Sequence, residues 1–171
     1  MDHGPLARAS DSRDDPRHLT APQIAFAIES FGAILDELMP IFQRHYDALS
    51  AHGLTLDPNY EFYKKASEAG YLVTYTVRDG GRLCGHALYF SAKNPHHKTI
   101  QWANSDSLWI DMDMRRPRVA DRFIEVIEND LRNKGVVVME TGTRAAHPAL
   151  GRLLQARGHE IVNVLYSKRL I

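Results

Sequence analysis

Hydrophobic positions change their period along the chain, and each change marks a new element. Residues 1–21 have no such period: Asp2, Asp11, Asp14 and Asp15 are interspersed with Arg8, Arg13, Arg17, Pro5 and Pro16, and Leu6 and Leu19 are the only large aliphatics. So little apolar surface cannot offset the entropy of ordering, which predicts a mobile tail over 1–21 and one domain over 22–171. A partner-binding arm that folds on contact is the functional alternative for the tail. The apolar run Ile24 to Ile28 predicts an edge strand, with Ser30 after it at a helix N-cap position. Phe31, Ile34, Leu35, Leu38, Phe42 and Leu49 then fall mostly on one stripe of a 3.6-residue period. That stripe predicts a long amphipathic helix, and Pro40 predicts a kink or break inside it. A second short helix is expected from Pro58, capped by Asp57, to the Ala69-Gly70 pair.

The period then shortens to two. Tyr71 to Val77 and Leu83 to Phe90 are strand-like, and Asp79-Gly80-Gly81 between them is a hairpin turn signal. A polar loop through Asn94, Pro95, His96 and His97 leads to a strand between Thr99 and Met112, in which Leu108, Ile110 and Met112 alternate with Trp109, Asp111 and Asp113. Val119, Phe123, Ile124, Ile127 and Leu131 restore the helical period up to Lys134-Gly135. The uninterrupted run Val136-Val137-Val138-Met139 predicts a strand buried on both faces. A last helical stripe, Ala149 to Leu154, stops at Arg157-Gly158, and the alternation from Ile161 to Ile171 predicts a closing strand. The order strand, helices, hairpin, strand, helix, strand, helix, strand describes a mixed α/β domain of the α+β type with a curved sheet.

Composition narrows the function. The 171 residues carry 21 Lys+Arg against 21 Asp+Glu, so no global field draws the chain to nucleic acid or to an anionic membrane. Cys84 is the single cysteine, which excludes an internal disulfide and a multi-thiol metal site. No apolar run approaches a membrane span, and Met1 to Thr20 lacks the apolar core of a signal peptide, so cytoplasmic residence is expected. The nine histidines show no ligand spacing, and no metal site is expected. Nucleophile elbows, phosphate loops of the Walker type and Cys-His arrangements are missing as well.

Charge balance fails locally at Arg115, Arg116 and Arg118, with Arg122 one turn on, at a helix start that otherwise prefers acids. Three readings stay open for that cluster: a phosphate site, a solvated helix start, or a nucleic-acid patch. The last would need a wider basic surface than four arginines in a neutral protein.

Three stretches resemble the Gcn5-related N-acetyltransferase (GNAT) superfamily, over roughly Ile24 to Ile171, with most detail shared with small GNAT-like proteins of tailed bacteriophages. Val77-Arg78-Asp79-Gly80-Gly81-Arg82-Leu83-Cys84-Gly85 is similar to the family's second and third strands. Leu108 to Arg116 is similar to its fourth strand entering the acyl-CoA motif, and Ala149 to Gly158 with Val164 to Lys168 is similar to its last helix and strand. The resemblance implies a mixed, curved sheet with a central splayed strand pair and helices on both faces. It also implies acetyl-CoA as acyl donor, an amine-bearing small molecule or protein as acceptor, and an N-acyltransferase activity. A homodimer is left open, and a GNAT-shaped interaction or virion-associated protein without catalysis is the competing reading.

The family's Gln/Arg-x-x-Gly-x-Gly/Ala motif falls on Arg115-Arg116-Pro117-Arg118-Val119-Ala120, where the first and last positions match and Arg118 replaces the central glycine. With the strand residues Ile110 and Met112, these six are the implied coenzyme contacts. Guanidinium groups would then stand in for backbone donors on the pyrophosphate. Asp106, ahead of the apolar Leu108-Trp109-Ile110, is the candidate general base, with Glu140 second. The family's helix tyrosine, an acid for the departing thiolate, is Leu154 here, which leaves Tyr166 on the last predicted strand as the substitute.

Overall fold

A computed structural model describes residues 23–49 and 53–170. The tail expected over 1–21 lies outside those residues. Five strands form one sheet in the order β1-β2-β3-β4-β5: β1 (Ile24–Ile28), β2 (Leu72–Asp79), β3 (Arg82–Asn94), β4 (His97–Ile110) and β5 (Val136–Glu140). The first four are antiparallel neighbours, and β5 joins β4 in parallel. Helices α1 (Leu35–Leu49) and α2 (Tyr60–Glu68) cover one face of the sheet, and α3 (Pro117–Asn133) and α4 (Ala149–Ala156) the other. The mixed α+β class with helices on both faces is therefore as expected.

Each face has its own core. Phe31, Ile34, Leu38, Ile41 and Phe42 bury against Leu72, Leu83, Leu88 and Trp109, whereas Val119, Phe123, Ile124, Ile127 and Leu131 bury against Tyr75, Val77, Ala87, Tyr89 and Ala103. Alternate strand residues feed alternate cores, as a two-residue period requires. Gly80 and Gly81, at φ 56° and 90°, make the β2–β3 turn. Gly85 serves close approach: a Cβ there would stand 2.9 Å from the Trp109 carbonyl oxygen on β4.

Several local expectations are corrected. Pro40 does not break α1, because its side of the helix faces solvent and water can satisfy the carbonyl that loses its donor. A 3₁₀ turn, Gly32–Ile34, precedes α1, and Ser30 supplies its carbonyl to Ala33 rather than a side-chain cap. Asn59, not Asp57, caps α2 by accepting from the Phe62 amide at 3.0 Å. The expected polar loop at 94–97 is absorbed into a long hairpin, with Asn94 facing His97 across a two-residue turn.

The two strands at the C-terminal end differ most from expectation. β5 is an edge strand, so it is half-buried rather than buried on both faces, and Val137 is 67% exposed. The closing strand over Ile161 to Ile171 does not form: residues 159–170 carry no regular secondary structure and are almost all exposed. No helix among the described residues is long and apolar enough to cross a membrane.

Candidate active site

β4 and β5 stay paired only from Gln101 to Asn104, and the last matched pair is Asn104 with Glu140. Beyond it β4 continues to Ile110 with β3 on one side and no strand on the other. Hydroxyl groups take over from the ladder at that point. Gly142 donates its amide to Ser105 Oγ at 2.8 Å, and Thr141 meets the Tyr89 hydroxyl at 2.7 Å. β5 ends there, and side-chain hydroxyls on β3 and β4 tie the segment that follows it in place of ladder bonds.

A bulge in β4 falls at the same place. Leu88 faces Ser107 and Tyr89 faces Ser105, which leaves Asp106 as the extra residue. The bulge aims Asp106 at α2, where the Tyr63 hydroxyl donates to its carboxylate at 3.1 Å. Solvent reaches the carboxyl from one side while the protein crowds it from the other. That desolvation raises its pKa above the ordinary aspartate value, and the Tyr63 hydrogen bond partly offsets the rise. Tyr63, half-buried, is itself pushed up to about 12 by burial and by the Asp106 charge, so it remains a donor. Its ring stacks on Phe31 at 5.2 Å and leans on Phe62 and Phe90, which fix the hydroxyl's position.

The α1 side of β4 carries a second constellation. His86 is fully buried, faces Ser107 Oγ at 3.2 Å through Nε2, and leaves Nδ1 without a partner. His45 of α1 lies 5.8 Å from it, ring to ring, and stacks on Trp109 at 5.0 Å. Burial lowers the His45 pKa to about 4, helped by the Arg115 and Arg144 charges, and lowers that of His86 to about 3, so both rings are neutral at pH 7.

Asp111 closes this side. It accepts from Arg44 Nε and Nη2 at 3.1 and 2.9 Å and from Trp109 Nε1 at 3.0 Å, tying α1 to the end of β4. Nothing in the chain's periodicity singled out Asp111, His45 or Tyr63. The only legible hint was Trp109-x-Asp111, since residues two apart on a strand share a face.

At the far end of the unpaired β4 edge stands the start of α3. Pro117 occupies its first position and has no amide proton, and Val119 and Ala120 both donate to the Arg116 carbonyl, at 3.0 and 3.2 Å. Few first-turn donors therefore remain for an anion. Arg115 turns back to the α1 side, with Nε on the Ile110 carbonyl at 2.8 Å and its guanidinium 4.1 Å over Trp109. Arg122 pairs with Glu125. Arg116 and Arg118 are exposed and make no ion pair among the described residues.

Known structures share this architecture. A ribosomal-protein-alanine N-acetyltransferase from Brucella melitensis biovar Abortus 2308 superposes with a TM-score of 0.67, at 14% identity over 86% of this chain and 99% of that one. A predicted acetyltransferase with acetyl-CoA from Clostridium acetobutylicum gives 0.67 at 9% identity, over 86% and 96% of the two chains. The aminoglycoside N-acetyltransferase AAC(6')-Iy in complex with CoA gives 0.65 at 14% identity, over 92% and 99%. The protein has the GNAT fold. No protein-family model matches the chain, and no curated protein does.

Within the GNAT fold the sequence-derived site residues separate into groups. Asp106 and Glu140 both stand at the parting of β4 and β5, Asp106 on the bulge and Glu140 as the last paired residue of β5. Ile110 and Val119 are core residues and Ala120 packs against the core. Met112, 75% exposed, lies in a 3₁₀ turn between β4 and α3. Tyr166 is 93% exposed on the segment beyond α4 rather than on a strand, so the structure does not bring it to Asp106. No group of three or more potential metal-ligating side chains occurs among the described residues.

Proposed function

We propose that the protein is an N-acyltransferase that moves an acetyl group from acetyl-CoA to a primary amine. One observation carries the reading: a carboxyl of raised pKa, Asp106, sits on a strand bulge immediately past the point where β4 leaves β5. The residues present fit an extended acyl-CoA. The unpaired β4 edge from Ser105 to Ile110 can pair with an amide-bearing chain as a strand would. Arg116 and Arg118 stand at its end to meet a diphosphate. Side-chain charges there do the work that open backbone donors do at other helix starts, which is the role the Arg118 position suggests.

Acetyl-CoA supplies an activated thioester carbonyl. Asp106, held by Tyr63, takes the proton from the attacking ammonium or from a water between them, a role its raised pKa suits. The amine nitrogen forms the new bond to the carbonyl carbon and gives its surplus proton to solvent, the carbon–sulfur bond breaks, and the thiolate leaves. A thiolate with a pKa near the usual ~8.5 takes its proton from solvent, so an acid such as Tyr166 is not needed for turnover. The acceptor is a small molecule or a protein carrying an accessible amine.

The engaged α3 donors and the exposed Tyr166 favour a second reading, a GNAT-shaped interaction or virion-associated protein without catalysis. Titration calorimetry with acetyl-CoA and a thiol-release assay over an amine panel separate the two. The first reading expects binding and turnover on at least one amine. Failure to bind at millimolar acetyl-CoA sinks it, and binding without turnover on any amine selects the second.

A further inference from the structure

Arginines outnumber acids where the end of β4 meets α1. Arg44 and Arg82 spend their charges on carboxylates: Arg44 on Asp111, and Arg82 on Asp113 at 3.3 Å with Asp111 3.6 Å away. Arg115 and Arg144 have no carboxylate partner among the described residues. Both charges still bear on the His45 ring of α1, where they help to lower its pKa, so the exposed Arg144 on the segment after β5 reaches the same side of β4 as Arg115.

Arg115 is the more unfavourable of the two. Its guanidinium lies 4.1 Å over Trp109, and burial there works against its charge. The carboxylate that offsets this, Asp111, already accepts two hydrogen bonds from Arg44 and one from Trp109 Nε1. A guanidinium drawn partly out of water without a carboxylate of its own is stabilised when an anion completes it. The neighbouring His45 and His86 rings are neutral and supply none.

We infer, resting on the acyltransferase reading, that the acceptor is an amine that also carries a carboxylate, with its nitrogen at Asp106 and its carboxylate on Arg115 and Arg144. Both ends lie on the face of β4 that α1 and α2 cover, because Asp106 is bonded to Tyr63 of α2 and Trp109 stacks with His45 of α1. Three residues separate Asp106 from Trp109, roughly 10 Å of strand. One hydrogen bond of about 3 Å at each end leaves roughly 4 Å between nitrogen and carboxylate, the length of a short-chain amino acid. A guanidinium fork matches the carboxylate in shape as well as in charge.

The same charges disfavour two other occupants. A polyamine would bring further cations to a surface where four arginines already face Asp111 and Asp113. The coenzyme's diphosphate has Arg116 and Arg118 at the start of α3, whereas Arg115 turns away from that helix onto Ile110 and Trp109.

Thiol release from acetyl-CoA by the full chain tests this on amines with and without an acid group, among them 4-aminobutanoate, its neutral amide and spermidine. Wild type is compared with Arg144→Gln, an exposed position whose loss leaves the circular dichroism intact. The expected kcat/KM is at least about tenfold higher for 4-aminobutanoate than for the amide, and higher still relative to spermidine. Arg144→Gln should cut the acid-to-amide ratio by about fivefold to tenfold, through KM, while calorimetry shows acetyl-CoA affinity within about twofold. A ratio near one, a ratio that Arg144→Gln leaves unchanged, or a parallel loss of acetyl-CoA affinity overturns the inference. Turnover confined to amines without an acid group also overturns it and leaves the acyltransferase reading standing, whereas turnover on no amine removes both.

Discussion

The two ends of the unpaired stretch of β4 are built from opposite materials. At the Asp106 end a single carboxyl is crowded by Tyr63 and a shelf of aromatic rings, and its ionisation is tuned by partial removal from water. At the α3 end the charges are arginines in solvent, and the backbone donors beneath them are largely engaged. At one end crowding by protein raises a carboxyl's pKa, and small geometric changes would shift it. At the other the charges are exposed, tolerate movement and are screened by salt. The lesson is that one unpaired strand edge is flanked by groups whose electrostatics depend on how much water each retains.

The largest effect is expected at the desolvated end. Asp106→Asn should lower kcat/KM for amine acetylation by about 100-fold or more, the usual contribution of a general base, and leave the acetyl-CoA affinity within about twofold. Thiol-release kinetics and calorimetry read the two quantities separately. Equal losses in both would mean that Asp106 shapes the cleft rather than moving a proton.

Next comes the histidine pair that backs this end. The His45 pKa falls to about 4 in the folded chain from an ordinary value near 6.5, so the unfolded chain binds more protons between those limits. Stability is then full above about pH 6.5 and is lost as pH falls toward 4, by on the order of 2 kcal/mol between pH 6.5 and 4.5. Urea unfolding at the two pH values checks this, and His45→Phe should remove the His45 share of the difference while the share of His86 remains.

A smaller effect is expected at the exposed end. Arg118→Glu should weaken acetyl-CoA binding about tenfold at low salt, with the gap narrowing as salt is added. A change that salt leaves untouched would show that Arg118 acts through the helix and not through charge.

The smallest effect refines the first. In the proposed role Asp106 must be deprotonated, so kcat/KM should fall on the acid side with a midpoint above the ordinary aspartate value. Tyr63→Phe removes the hydrogen bond that lowers this pKa, so the acid limb should move to higher pH by less than about one unit. A downward move would reverse the assigned role of Tyr63.

Much of the fold was legible in the chain because periodicity reports a local necessity. Each helix stripe and the Asp79-Gly80-Gly81 turn follow from burying one face and turning tightly, whatever lies opposite. Asp106 stood out as an acid ahead of an apolar strand segment, and the sheet register sets it on the β4 bulge. Val136 to Met139 and Ile161 to Ile171 misled for the same reason. Apolar runs state that burial is favourable and not whether this chain contains the surface that provides it.

What the sequence alone determined is the four helices, the first five strands and their order, and the arginine-rich helix start, all of which depend on neighbours a few residues apart. Tertiary structure decided the rest. Tyr63 reaches Asp106 across 43 positions, and Arg44 reaches Asp111 across 67. Ser105 and Tyr89 anchor the segment after β5 through their hydroxyls. These contacts join residues brought together only by sheet register and helix docking, and the pKa of a carboxyl depends on that enclosure.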